Sequence, residues 1–178
     1  MKLTRVLSVA ILILLIASSA SAFDGLRKGF VLGGGLGMAP VVRTSIFDAD
    51  DSRGGVGLHI VIGYAWDEYN MIVYESNVAG AEAGRVTYAQ GFGGPAWYHY
   101  FGPQGKSFFT VVGLGFYSYQ IEDEDLNDSG GGYLIGGGYE FARHFQVAMY
   151  LSGGKTELLG LIDMGHNNLS ILISAVAF

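Results

Sequence analysis

The sequence contains no cysteine and only three prolines. Without cysteine, disulfide stapling and lipid attachment through an N-terminal cysteine are both excluded. Basic residues are scarce: ten Lys and Arg stand against sixteen Asp and Glu, for a net charge of −6. An acidic chain with no basic patch argues against nucleic acid as a partner. Charge of either sign makes up only 15% of the residues, while half are apolar, which a disordered secreted chain would not show. Long apolar runs are missing too. The longest, from Val6 to Ile16, falls short of the roughly 20 residues that a membrane-spanning helix needs.

That short run has the anatomy of a secretory signal peptide. Lys2 and Arg5 precede it, and the small-x-small stretch Ala20, Ser21, Ala22 follows it, which predicts cleavage after Ala22. Residues 1–22 are then a leader and 23–178 one domain. Loss of the leader's two basic residues takes the net charge from −6 to −8.

What the sequence has in abundance is glycine, 29 residues, and aromatics, with 11 Phe and 11 Tyr. These recur at period two. Phe30, Leu32, Leu36 and Met38 alternate with Val31, Gly33, Gly35 and Gly37. Val56, Leu58, Ile60, Ile62, Tyr64 and Trp66 alternate with Gly57, His59, Val61, Gly63 and Ala65. Similar runs start near Met71, Phe108, Tyr133, Gln146 and Ser170. One more, about 86–101, has rows that do not separate cleanly and contains Pro95, which suggests a bulge or an irregular end; its facing stays open.

Eight such runs can be counted. In most of them one row is bulky and apolar, and the other holds the glycines and the charges. A soluble sandwich would turn polar residues outward. The opposite arrangement belongs to a membrane barrel, whose strands must close because hydrocarbon tolerates no open edge. The predicted fold is therefore all-β, an eight-stranded antiparallel up-and-down transmembrane β-barrel, with an interior narrow enough for side chains to fill. Connections support it: short ones ("DEY", "GPQG", "ARH") alternate strictly with long ones at about 40–55, 79–85, 120–131 and 153–166. Pairing Trp66 with Asn70 places Tyr64 opposite Ile72, Ile62 opposite Tyr74, and His59 opposite Asn77 and near Glu75 inside. Pairing Phe141 with Phe145 places Glu140 opposite Gln146 inside. Trp66, Tyr69, Trp97, Tyr98, Tyr100, Phe101, Phe141 and Phe145 gather at the short-turn ends, as an interfacial aromatic girdle would.

Taken together, the leader, the Gly-rich "KGFVLGGGLGMAP", the "AWYHYFG" strand end and the terminal phenylalanine resemble small eight-stranded outer-membrane proteins of the outer membrane protein X, opacity-protein and OmpA-barrel type. The resemblance covers essentially the whole mature chain and implies a Gram-negative outer membrane with both termini periplasmic. It implies outer-membrane lipid, lipopolysaccharide and the barrel-assembly machinery as partners, and a monomer. Its terminal assembly signal, carried onto this chain, is Leu172, Val176 and Phe178 facing lipid, with Ile171 and Ile173 inside.

No catalytic site, cofactor or metal is expected. Lipid A deacylases of this shape carry His and Ser two residues apart on one strand face, so that the imidazole can act as base. Here the residues two after His59, His99, His144 and His166 are Val61, Phe101, Gln146 and Asn168. The palmitoyltransferase pattern, an N-terminal amphipathic helix and a histidine in the first long loop, is missing as well. In the acidic stretch 122–130, Asp123, Asp125 and Asn127 match calcium-loop spacing, but Asp128 stands where glycine is required and Leu134 where glutamate is. His59, Glu75, Asn77, Glu140 and Gln146 form the expected polar cluster of the lumen, with Glu140 lacking an obvious basic partner apart from Arg143 in the adjacent turn. The loops at 120–131 and 153–166 are candidate surfaces for a partner, the second being unusually apolar. The expected role is structural or surface-interacting; the alternatives are a narrow pore or carrier for small hydrophobic molecules, suggested by the glycine-lined interior, and lipid A modification.

Overall fold

A computed structural model of the chain describes residues 26–46, 49–83, 86–121, 127–158 and 162–178. The expected signal peptide, residues 1–22, lies outside them, as do Asp123 and Asp125 of the acidic stretch and Leu159 and Leu161 of the apolar one. Eight strands follow one another: β1 (Gly29–Ile46), β2 (Ala49–Ala65), β3 (Asn70–Ala83), β4 (Val86–Tyr100), β5 (Ser107–Ile121), β6 (Asn127–Ala142), β7 (Phe145–Leu158) and β8 (Ile162–Ala177). Each pairs antiparallel with the next, and β1 pairs with β8, so the sheet is a closed barrel. No helix among the described residues is long and apolar enough to cross a membrane.

The period-two reading holds for the faces of β1, β2, β3, β5, β6 and β7. Most large apolar side chains on the outer wall are exposed, from 40% at Ile171 to 74% at Leu114, whereas Val31, Met71, Phe109 and Leu134 inside are at most 2% exposed. The register of β2 on β3 is as expected, with Tyr64 opposite Ile72, Ile62 opposite Tyr74 and His59 opposite Asn77. Glu140 faces Gln146, but Phe145 pairs with Ala142 rather than Phe141. Phe141 is the extra residue of a bulge, a common device at a barrel rim.

Three further expectations change. The four long connections are for the most part strand: β1 runs to Ile46 and β2 resumes at Ala49, and the other three hairpins extend similarly. Strands of 14 to 18 residues exceed the roughly 9–11 needed to cross a bilayer, so each hairpin continues past the outward apolar band. Pro40 is accommodated where β1 shifts register against both neighbours, because it has no N–H for the ladder.

The facing of β4 is settled by its neighbours. Phe92, Ala96, Tyr98 and Tyr100 point inward and Pro95, Trp97 and Phe101 outward. Tyr98 and Tyr100, both 0% exposed, therefore belong to the lumen and not to an aromatic girdle. Trp66, Tyr69, Trp97, Phe101, Phe141 and Phe145 are exposed at the short-turn end.

The last strand faces the opposite way from the sequence reading. Leu172, Val176 and Phe178 are 0%, 2% and 2% exposed, and Ile171 and Ile173 lie outside. The cause is on other strands. Leu172 pairs with Gly37, and a Cβ on Gly57 would come within 2.8 Å of its Cδ2; two missing side chains make its pocket. Ser170 and Ser174 share that inward row, where the Ser174 hydroxyl meets His59.

Candidate functional site

The candidate site is the lumen, which side chains fill in layers from the short-turn end to the hairpin end. The first layer is built around Arg27, a residue the sequence reading passed over. It sits in the bend before β1 and is 1% exposed. Its guanidinium pairs with Glu140, which thereby has a basic partner other than Arg143. It also donates to the carbonyls of Glu68 (2.6 Å) and Gly102 (3.4 Å), which belong to two different turns. The same group lies 3.7 Å over the Tyr100 ring and 5.9 Å from that of Phe178. Tyr100 in turn donates to Gln146 Oε1 at 3.0 Å. An arginine suits this place because its flat, weakly hydrated fork can pair, donate and stack at once.

Above it, β2, β3 and β8 bring together His59, Glu75 and Ser174. His59 Nδ1 lies 3.1 Å from Glu75 Oε1, and His59 Nε2 lies 2.7 Å from Ser174 Oγ. With Glu75 ionised, Nδ1–H donates to the carboxylate, and Nε2 is left to accept from the serine hydroxyl. Tyr98 donates to the other Glu75 oxygen, and its hydroxyl lies 3.4 Å from that of Tyr150. The order Ser–His–Glu is that of a hydrolytic triad. Sequence spacing could not show it, since the three residues come from three strands. Ser174, His59 and Glu75 are, however, 2%, 2% and 0% exposed, and Tyr150 packs on the imidazole with ring centroids 5.4 Å apart.

Asn77, the third member of the expected cluster, is buried beside His59 but hydrogen-bonds none of it. Its amide, together with the Asn168 amide and Ser170 hydroxyl, has no side-chain partner among the described residues. Buried groups of this kind are normally served by internal water. Among the described residues no group of three or more His, Cys, Asp and Glu side chains gathers as a metal site would.

The last layer centres on His166, beyond the apolar band, where Arg43 and Lys155 are exposed on the outer wall. His166 Nδ1 lies 3.2 Å from both Gln90 Oε1 and Thr44 Oγ1, and Nε2 lies 2.9 Å from Thr156 Oγ1. Its ring stacks against Tyr117 and Tyr119 at 5.6 and 5.0 Å. Burial lowers its pKa from 6.5 to about 4, with Asp128 pulling weakly the other way. Gln90 adds bonds to the carbonyls of Asn167 (3.1 Å) and Arg43 (3.4 Å), tying β4 across the mouth to β1 and β8.

Two outcomes follow. Arg27→Ala leaves Glu140 buried without its partner and should cost about 3–5 kcal/mol, read as a lower denaturation midpoint in urea for the lipid- or detergent-embedded barrel. Arg27→Met combined with Glu140→Leu should recover most of that loss. For His166 the neutral form is favoured by folding, so its contribution is complete above pH 6.5 and is lost as pH falls toward 4. Acidification through that window should speed proteolysis of the hairpin ends, and His166→Gln should flatten the dependence.

No protein-family model matches the chain, and no curated protein matches it in sequence. Solved structures do match in shape. Neisserial surface protein A superposes with a TM-score of 0.55 at 14% identity, over 85% of this chain and 98% of that one. Ail, the attachment invasion locus protein of Yersinia pestis, solved with the heparin analogue sucrose octasulfate, superposes with a TM-score of 0.51 at 12% identity, over 83% and 99%. The closed antiparallel ring, its strand count and these superpositions together make the chain's fold that of the small eight-stranded outer-membrane β-barrel proteins.

Proposed function

We propose that this chain is an integral outer-membrane β-barrel protein of a Gram-negative envelope, exported by its leader, with both ends of the chain and the short turns on the periplasmic side. Its role is structural or surface-interacting, and it works as a monomer without catalysis. One observation carries this reading: the outer wall is a continuous apolar band while the inside is packed with Arg27, Tyr98, Tyr100, Tyr117, Tyr150, Phe92 and Phe109, each at most 2% exposed. A wall of that kind is stable only in hydrocarbon, and the packed interior leaves the protein nothing to conduct.

The packed lumen weighs against the narrow pore or carrier for hydrophobic molecules. Glycines that would have left room are covered: a Cβ on Gly138 would meet Ala148 and Phe109 at 2.7 Å, and one on Gly33 would meet Val61 at 2.9 Å. Burial of Ser174, 2% exposed, weighs against lipid A modification, because a nucleophile must reach its substrate. The stretches 120–131 and 153–166, which include the ends of β5, β6, β7 and β8 away from the short turns, are the natural place for a partner outside the cell. That the barrel protein Ail was solved with a heparin analogue is consistent with such a use of the fold. Lipopolysaccharide around the hairpins and the barrel-assembly machinery during insertion complete the set of partners.

The test is electrical and chemical. The refolded protein in planar bilayers should give no steady conductance, and lipid A from cells with and without it should have the same mass spectrum. A stable open channel, or a lipid A species that depends on Ser174, would replace this reading by one of the alternatives.

A further inference from the structure

Between the His59 and His166 layers the lumen holds a further set of polar side chains. On β8 the inward row runs Ser174, Leu172, Ser170, Asn168, His166, and on β7 it runs Tyr150, Ser152, Gly154, Thr156. Ser174 and Tyr150 serve His59, while Thr156 serves His166. Ser170, Asn168 and Ser152 therefore stand between the two histidines. Asn77 is the next inward residue after Glu75 on β3, opposite His59. Tyr117, on β5, stacks on His166 from below. All five side chains are fully buried.

Glycines on two sides of the tube bring them together. Gly37 on β1 pairs with Gly57 on β2, and with both side chains missing Ser170 reaches across from β8. Its Cβ lies 3.3 Å from where a Cβ on Gly57 would stand, two residues from His59, the partner of Asn77. On the other side Gly132 pairs with Gly154, and the Tyr117 side chain lies over both. Its hydroxyl is thereby turned toward that of Ser152, and Ser152 pairs with Asn168.

Near as they are, these groups do not satisfy one another. Seven atoms, the nitrogen and oxygen of both amides and the three hydroxyl oxygens, have no hydrogen-bond partner among the described residues. A buried polar layer left in that state is costly, and the atoms define what would relieve it. Two amides offer four N–H bonds that need acceptors and two carbonyls that need a donor or a cation. A cation would leave the N–H bonds unserved. An anion would leave the carbonyls unserved and would lie close to the Glu75 carboxylate. A small neutral molecule that both donates and accepts answers the whole set.

We propose that this layer is a binding site for a cluster of ordered water, about two or three molecules at roughly three hydrogen bonds each. The cluster carries hydrogen bonding across the gap between the two histidine layers, from Asn77 and Ser170 to Ser152 and Tyr117. The lumen is then a packed plug with a wet waist, closed to ions and polar along its length. Because the site is internal, it stands independently of what surrounds the outer wall.

The experiment is a crystal structure of the full-length mature barrel at a resolution that shows ordered water, from crystals grown in rubidium chloride. Water oxygens should lie within about 3.2 Å of Asn77, Asn168 and Ser170, with at least one reaching Ser152 or Tyr117, and the layer should give no anomalous peak. An anomalous peak there would mark a cation and overturn the proposal. So would density for a larger bound molecule, or side chains bonded directly to one another with no water between them. In solution, oxygen-17 magnetic relaxation dispersion should lose about two or three long-lived waters when Asn77→Leu is combined with Asn168→Leu. An unchanged amplitude in the folded variant counts against the site, and the wild-type crystal keeps the test decisive should the variant not fold.

Discussion

Everything in this molecule follows from one constraint, the closure of β8 onto β1. From Leu32 opposite Ala177 to Ile46 opposite Met164, that seam leaves no strand edge with unpaired backbone groups, which hydrocarbon would not tolerate. Closure divides the side chains into two populations that never mix. The outer set has no core to fill and can be almost uniformly apolar. The inner set must fill a narrow tube and settle every polar group within it, and the His59 and His166 layers are two solutions to that problem.

The distinction explains what could be read in the sequence. Where one row is bulky and the other small or charged, as in β2 and β3, the pattern determines the face, and pairing His59 with Asn77 follows from a two-strand argument. β8 resists because both of its rows are apolar with a few small residues. Its decisive partners, Gly37 and His59, lie more than a hundred residues away in sequence. A polar row running Ser174, Ser170, Asn168, His166 is the available signal, and the bonds of Ser174 to His59 and of His166 to Thr156 show it turned inward together with Leu172 and Phe178. The hairpin extensions read as loops because beyond the apolar band neither face needs to be greasy, so polar strands and polar loops have similar composition.

The lumen contents were legible as residue types and not as an arrangement. His59, Glu75 and Asn77 were found on neighbouring strands, but Ser174 completes the hydrogen-bonded chain and Asn77 takes no part in it. Arg27 could not be found by strand periodicity at all, since it belongs to a bend. A buried carboxylate such as Glu140 demands a counter-charge, and Arg27 lies just ahead of the first strand. That demand was the clue.

Arg27 also bears on the order of events during assembly. Its contacts reach 41, 75 and 113 residues along the chain, and its ring neighbours include Phe178. Contacts that span such distances are entropically expensive until the intervening chain is already organised. The guanidinium is thus expected to close onto Glu140 and the carbonyls of Glu68 and Gly102 after the strands that carry them are organised, a lock set on a barrel already built.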